Sequence, residues 1–213
     1  MSSQNLLLTK ENGIAIVTIN RPEVLNALNR DTVDEIDALV EELNRDRELR
    51  VVIFTGGEKH FAAGADITDM VEGNPEFARG FAFKDTFNKI EDLSKPTIAA
   101  IAGYALGAGM EMTLACDLRV AKANVRFGLP EVSIGIMPGA GGTQRLPRLI
   151  GTARAKEMIM LGGMVDAATA LSYGLVNRVV EENVVEEAVK LATKLASLPP
   201  ISLRSAKQVV NQG

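Results

Sequence analysis

A chain of 213 residues suits one α/β domain with a small appendage, and 46% hydrophobic with 23% charged residues excludes a disordered or fibrous chain. A net charge of −4 gives no cationic footprint for nucleic acid, while one cysteine (Cys116) and one histidine (His60) make neither an internal disulfide nor a familiar zinc spacing. Aromatic residues are 4% and Trp is absent, so the core must be aliphatic.

Met1 to Gly13 holds only Leu6 to Leu8 as an apolar run, without the basic segment or the length of a secretion signal. No stretch offers the roughly 20 apolar residues of a membrane span. A cytoplasmic protein with no membrane contact is expected. Ile14 to Ile19 is β-branched and apolar between Asn12-Gly13 and Asn20-Arg21-Pro22, which predicts a strand. Thr32 followed by Glu35 carries a capping-box signature, and Val33, Ile36, Val40 and Leu43 share one helical face. Val51 to Gly57 predicts a second strand ending in a glycine turn, completing a βαβ unit.

His60 to Met70 comes next, just past the carboxyl end of a parallel strand, where α/β sheets bind ligands. Its Ala62, Ala63, Gly64 and Ala65 are small enough for a ligand to meet the backbone, although a tight loop without a ligand explains them equally well. Asn74 to Leu93 has helical apolar spacing, stopped by Pro96. Thr97 to Ala102 predicts a third strand, and GYALGAGME then sets Gly103, Gly107 and Gly109 before an apolar run, Met110 to Cys116, that suits a buried helix. Leu118 to Ala121 is strand-like. Thr152 to Leu161 and Asp166 to Tyr173 predict helices, Leu175 to Val180 a strand, and Asn183 to Leu198 an amphipathic helix stopped by Pro199-Pro200. Ser202 caps a last helical start, and the boundary near Pro199 divides residues 1–198 from 199–213.

The glycine-rich segments GYALGAGME and GAGGTQRL match neither a P-loop nor the G-x-G-x-x-G spacing. A GAG turn opening a buried helix does supply free N–H groups and a positive dipole end, and with the AAGAD loop it can form a two-donor oxyanion hole. Glu111 and Glu131 are the carboxylates of this apolar region. Gly128 and Pro130 forbid one continuous helix between them, so they converge only if the chain folds back. Two acids in one pocket split their pKa values and give a proton donor and a base. Alternatively, Glu111 offsets the dipole of its own helix, and Glu131 pairs with a surface Arg126 or Arg145. His60 and Cys116 read as structural, and Asp66 with Asp69 lacks a third metal ligand.

Four segments, Asn20 to Leu28 (NRPEVLNAL), Phe61 to Ile67 (FAAGADI), Gly103 to Asp117 (GYALGAGMEMTLACD) and Gly128 to Gly151, together resemble the crotonase superfamily, and most closely its enoyl-CoA hydratases. The resemblance implies an α/β fold, the crotonase (ClpP-like) spiral of repeated ββα units, with residues 1–198 as the spiral core and 199–213 as the start of a C-terminal helical region. It implies an acyl-CoA thioester whose carbonyl is held by the N–H groups of Ala65 and Ala108, where relatives often carry Gly at the second position. Glu111 and Glu131 match the family's two glutamates, which activate water and protonate the α-carbon. Coenzyme A contacts map to Val24, Ala27, Ala63, Asp66, Ile67 and Gly107.

The same resemblance implies no metal and no cofactor beyond the substrate's own coenzyme A, and homotrimers commonly stacked into hexamers. Relatives continue past the position of Gly213 as helices that cover the acyl pocket, so a shortened helical region is expected here. The expected activity is hydration of trans-2-enoyl-CoA, with short-chain substrates, in fatty acid β-oxidation or related acyl-CoA metabolism. The alternatives are an enoyl-CoA isomerase, a 3-hydroxybutyryl-CoA dehydratase, or a non-enzymatic acyl-CoA-binding subunit.

Overall fold

A computed structural model describes residues 5–66 and 82–212. Its main sheet has six strands in the order β1-β2-β3-β4-β6-β9. These are β1 (Leu6–Glu11), β2 (Ile14–Ile19), β3 (Val51–Thr55), β4 (Thr97–Ile101), β6 (Leu118–Lys122) and β9 (Arg178–Val180). Only the β1–β2 pair is antiparallel. A second sheet joins three short strands, β5 (Tyr104–Leu106), β7 (Arg126–Gly128) and β8 (Met164–Asp166).

Strands β3 and β4 are buried at every position, as expected of parallel strands covered on both faces. Val51, Ile53, Ile98, Ala100 and Val120 meet Val184, Ala188 and Ala192 of a helix over Val184–Ala196 on one face. Val52, Phe54, Ala99, Ile101 and Ala121 join the larger core on the other face. The chain's eight helices within the described residues are α1 (Arg30–Arg45), α2 (Ala82–Glu91), α3 (Ala108–Ala115), α4 (Gly142–Ile150), α5 (Thr152–Leu161), α6 (Ala167–Tyr173), α7 (Val184–Ala196) and α8 (Pro200–Gln212). Helix α3 is buried at all positions, so the core packs it on every side.

Several expectations need correction. The cap of α1 is Asn29, whose side chain accepts from the Thr32 N–H, while Glu35 accepts instead from Asn5 Nδ2. Pro200 opens α8, so Ser202 lies inside that helix rather than capping it. Leu6 to Glu11, read only as too short for a signal, is an edge strand: Asn12 and Gly13 both take positive φ, at 51° and 75°, forming the tight turn of a hairpin with β2. The expected helix over Asn74 to Leu93 is observed from Ala82 to Glu91, and its earlier part lies outside the described residues.

Candidate active site

Two isolated parallel bridges shape the loop after β3. Ala62 bridges Ala105, and Ala65 bridges Leu28. The Leu28 N–H donates to Gly64 O at 2.8 Å, and the Asp66 N–H donates to Leu28 O at 2.9 Å. In parallel pairing those bonds flank Ala65, so its own N–H points away from Leu28. Ala108 is the first residue of α3, whose Glu111 N–H closes the first turn on Gly107 O at 2.9 Å. Its N–H therefore belongs to the donors that a helix cannot satisfy internally. Among the described residues neither the Ala65 nor the Ala108 N–H has an acceptor.

The two loops meet through Gly107. With φ at +49° and a would-be Cβ only 3.7 Å from Gly64 Cα and 3.2 Å from Glu131 Oε1, this position favours glycine both for conformation and for space. Gly109 is packed tighter still, because a Cβ there would lie 2.3 Å from Ala62 O. These close approaches bring the start of α3 beside the Ala62–Ala65 strand, which no longer side chains would permit.

Glu111, one turn into α3, is 2% exposed. Its Oε1 accepts the Ala140 and Gly142 N–H groups, each at 2.8 Å. Glu111 lies in the first turn of its own helix, and its carboxylate also receives the amino end of α4. Burial nevertheless dominates, pushing its pKa up to about 7, helped by the Glu131 charge and opposed by the two N–H donors and Arg145.

Glu131 sits in a 3-10 turn, Pro130–Ile134, and is 9% exposed. Its Oε2 is buried without a hydrogen-bond partner among the described residues, and burial raises its pKa. The alternative pairing with a surface arginine does not occur. Arg126 is exposed on β7, and Arg145 is buried and bonded to Glu91, Asn88 and Ala140 O.

Both carboxyl groups line one cavity of about 230 Å³. Ala63, Gly64, Ala65, Gly107 and Ala108 form one side of it, and Phe83, Pro130, Ser133, Ile134, Ile136, Met137, Gly139 and Ala140 the remainder. Val24, Ala27 and Asp66 adjoin this lining without joining it. Val24 is exposed at the end of a short 3-10 turn, Ala27 O accepts from Arg21, and Asp66 pairs with Arg21 at 3.1 Å. The Ala63 N–H donates to Leu25 O, tying the cavity wall to that turn. Ile67 lies outside the described residues.

Sequence reasoning missed Asn26. It is 3% exposed and left-handed at φ 59°; its Oδ1 accepts from the Arg21 N–H, and its Nδ2 donates to Gly56 O and His60 O. One amide thus joins the turn before α1 to the loop after β3. An asparagine next to a Pro-containing turn carried the signal, because Asn tolerates the left-handed region.

Comparison with known proteins agrees with this geometry. The model of the enoyl-CoA hydratase/isomerase family matches residues 9–213, a span that includes both loops and both glutamates. This chain belongs to the enoyl-CoA hydratase/isomerase family. Among its relatives, a short-chain-enoyl-CoA hydratase of Clostridium acetobutylicum is 47% identical, with 100% of this chain aligned to 83% of that protein. A crotonyl-CoA hydratase of Syntrophomonas wolfei is 43% identical, aligned over 100% of this chain and 84% of its own length. The crystal structure of an enoyl-CoA hydratase from Bacillus anthracis superposes with a TM-score of 0.94 at 41% identity, covering 98% of this chain and 83% of the other. The expected crotonase fold and family are met, and as a member of the enoyl-CoA hydratase/isomerase family the chain is an enzyme, a hydro-lyase. No group of three or more His, Cys, Asp or Glu among the described residues is arranged to hold a metal ion, and no helix there is long and apolar enough to cross a membrane.

Proposed function

We propose that the protein adds water across the double bond of short-chain trans-2-enoyl-CoA thioesters to give 3-hydroxyacyl-CoA, with Glu111 and Glu131 as its base and acid. The observation that carries this reading is the pairing of two buried carboxyl groups, both raised in pKa, in one cavity with two unpaired backbone N–H groups. The names of the two relatives, a short-chain-enoyl-CoA and a crotonyl-CoA hydratase, support the substrate class.

In this mechanism the Ala65 and Ala108 N–H groups hold the thioester oxygen and draw electron density from the β-carbon. Glu111, in its carboxylate form and aimed by two N–H donors, removes a proton from water as the water oxygen bonds to the β-carbon. The electron pair of the double bond moves to an enolate whose oxygen the two N–H groups stabilise, each donor contributing about 3 kcal/mol to the transition state. Glu131, whose unpartnered buried Oε2 favours the protonated form, delivers its proton to the α-carbon. One proton passing between the two glutamates restores the starting state. The step uses coenzyme A as the substrate's handle and draws on no resident cofactor.

Coenzyme A contacts are assigned to Val24, Ala27, Ala63, Asp66, Ile67 and Gly107, a reading supported by the continuity of the cavity wall with the Arg21–Leu28 turn. Assembly as a homotrimer or a dimer of trimers is part of the same proposal, supported by the exposed apolar residues Met160, Leu161, Met164, Ile201, Val209 and Val210. Helix α8 buries no residue, which supports reading residues 199–213 as the start of a separate helical region.

The test mixes the purified chain with crotonyl-CoA and follows loss of the conjugated enoyl absorbance. Hydration is expected. Thioester binding without hydration would overturn the reading in favour of an acyl-CoA-binding subunit.

A further inference from the structure

The Glu111 carboxylate is held by a turn that does not hold itself. Gly139 to Gly142 has no side chain able to brace it, and Gly141 takes φ +106° as the N-cap of α4. What fills the space behind it is Arg145. A Cβ on Gly141 would lie 2.0 Å from Arg145 Nη1, so the guanidinium is packed directly on the turn's backbone. Arg145 Nη1 donates to Ala140 O at 3.0 Å, and the N–H of that same residue donates to Glu111 Oε1 at 2.8 Å.

The other nitrogens of Arg145 turn away from the cavity. Nε and Nη2 both donate to Glu91 Oε2, at 3.0 and 2.6 Å, and Nη2 also donates to Asn88 Oδ1 at 2.7 Å. Glu91 and Asn88 lie on α2, the helix whose Phe83 lines the cavity. Arg145, Glu91 and Asn88 do not line it.

We propose that Arg145 is the positioning residue of Glu111: its planar fork clamps the Ala140–Gly142 turn to α2, and so fixes the two N–H groups that aim the Glu111 carboxylate. A lysine cannot span these partners, because the clamp needs several donors fixed in one plane. The role assigned to Glu111 rests on the hydratase reading above, but the clamp itself is a matter of geometry.

Arg145 also contributes charge. Among the described residues, the ionisable groups facing Glu111 from the surrounding elements are Glu131 from the 3-10 turn and Arg145 from α4, with Glu91 of α2 behind Arg145. Of the other charged groups of α2, Lys84 and Asp85 are exposed, and Lys89 is engaged by Asp37 and Glu41. Removing Arg145 therefore raises the midpoint of Glu111, whereas removing the neutralising charge of Glu91 lowers it.

The experiment compares wild type with Arg145→Met, Arg145→Lys and Glu91→Gln, by crotonyl-CoA hydration across pH and by NMR titration of ¹³C-labelled glutamate carboxyls. Arg145→Met is expected to lower kcat about 100-fold with KM within about twofold, because a catalytic group is displaced while the binding surface is kept. The Glu111 resonance should titrate at higher pH in Arg145→Met and at lower pH in Glu91→Gln, a pair of opposite shifts that general loosening does not produce. Arg145→Lys should recover the titration midpoint but only part of kcat. Unchanged kcat in a folded Arg145→Met, or a Glu111 midpoint that fails to move in opposite directions, overturns the proposal. If Arg145→Met does not fold, the Glu91→Gln shift decides alone. A wild type that hydrates nothing overturns the hydratase reading instead, and the NMR titration still judges the clamp.

Discussion

Glu111 and Glu131 share a cavity but not a way of being held. Glu111 sits on a helix buried at every position, and two backbone N–H groups fix one of its oxygens. Glu131 sits on a 3-10 turn whose neighbours Ile134 and Met137 are 64% and 68% exposed, and one of its oxygens has no partner among the described residues. Burial raises both pKa values, yet only one carboxyl is given donors that stabilise its anion. The difference shows burial and donors working against each other: the deeper Glu111 is pushed up to about 7 in spite of its two N–H groups, while Glu131 is raised by burial alone.

The comparison breaks most severely if either carboxyl is neutralised. Glu111→Gln and Glu131→Gln are each expected to lower kcat for crotonyl-CoA hydration by about 1,000-fold, within the range of general acid–base catalysis. Activity in either variant equal to wild type would refute the division of roles. Ala108→Pro tests the donors separately, because proline is tolerated at a first helical position and replaces the N–H by a ring methylene that cannot donate. A loss of about 100-fold in kcat is expected with the helix intact by circular dichroism.

Stability sharpens the contrast in another measurement. Glu111, raised from 4.5 to about 7 on folding, binds more protons in the native than in the unfolded chain across that window. Its burial therefore subtracts stability as pH rises through the window, and the loss is complete above pH 7. Glu111→Gln should then be more stable than wild type at pH 8 by up to about 3 kcal/mol and near equal at pH 4, as read by urea titration. The kcat/KM profile of wild type should rise through about pH 7 as Glu111 ionises, and the midpoint of that rise should fall in Glu131→Gln, because the Glu131 charge helps to raise it. The smallest effect lies far from the pair. Lys207 of α8 bonds Asp117 at 2.9 Å and Lys95 O at 3.2 Å, so Lys207→Met should destabilise by about 1 to 2 kcal/mol and leave kcat unchanged.

Much of this molecule is legible in its residues. The parallel strands β3 and β4 announced themselves as apolar runs, and the buried helix α3 followed from small residues and methionines. Less visible were β5, β7 and β8, each three residues long and too short to show a period. Helix α4 stayed hidden behind its opening glycines and Pro147, signals that locally argue against a helix and are outweighed by the burial of Arg145, Leu146 and Ile150. For the site, Glu111 and Glu131 stood out as acids in an apolar setting. The supports of Glu111 did not, because a backbone N–H at Ala140 or Gly142 leaves no mark on side-chain identity. Arg145 is one of two arginines that the sequence offers as an alternative partner for Glu131, and it pairs instead with Glu91, since sequence separation alone does not reveal which carboxyl an arginine faces.

The bridge from Leu28 to Ala65 carries one more consequence, in the order of events during folding. Its partners, like Ala62 with Ala105 and Glu111 with Ala140, are far apart along the chain. Contacts of this kind form only after long loops have closed, a step that is slow relative to local helix formation. The junction of the Ala65 and Ala108 loops and the seat of Glu111 thus belong to the late, cooperative stage of folding. A nascent chain that has emerged only as far as α3 already contains Ala65 and Ala108 but lacks Glu131 and the turn that holds Glu111.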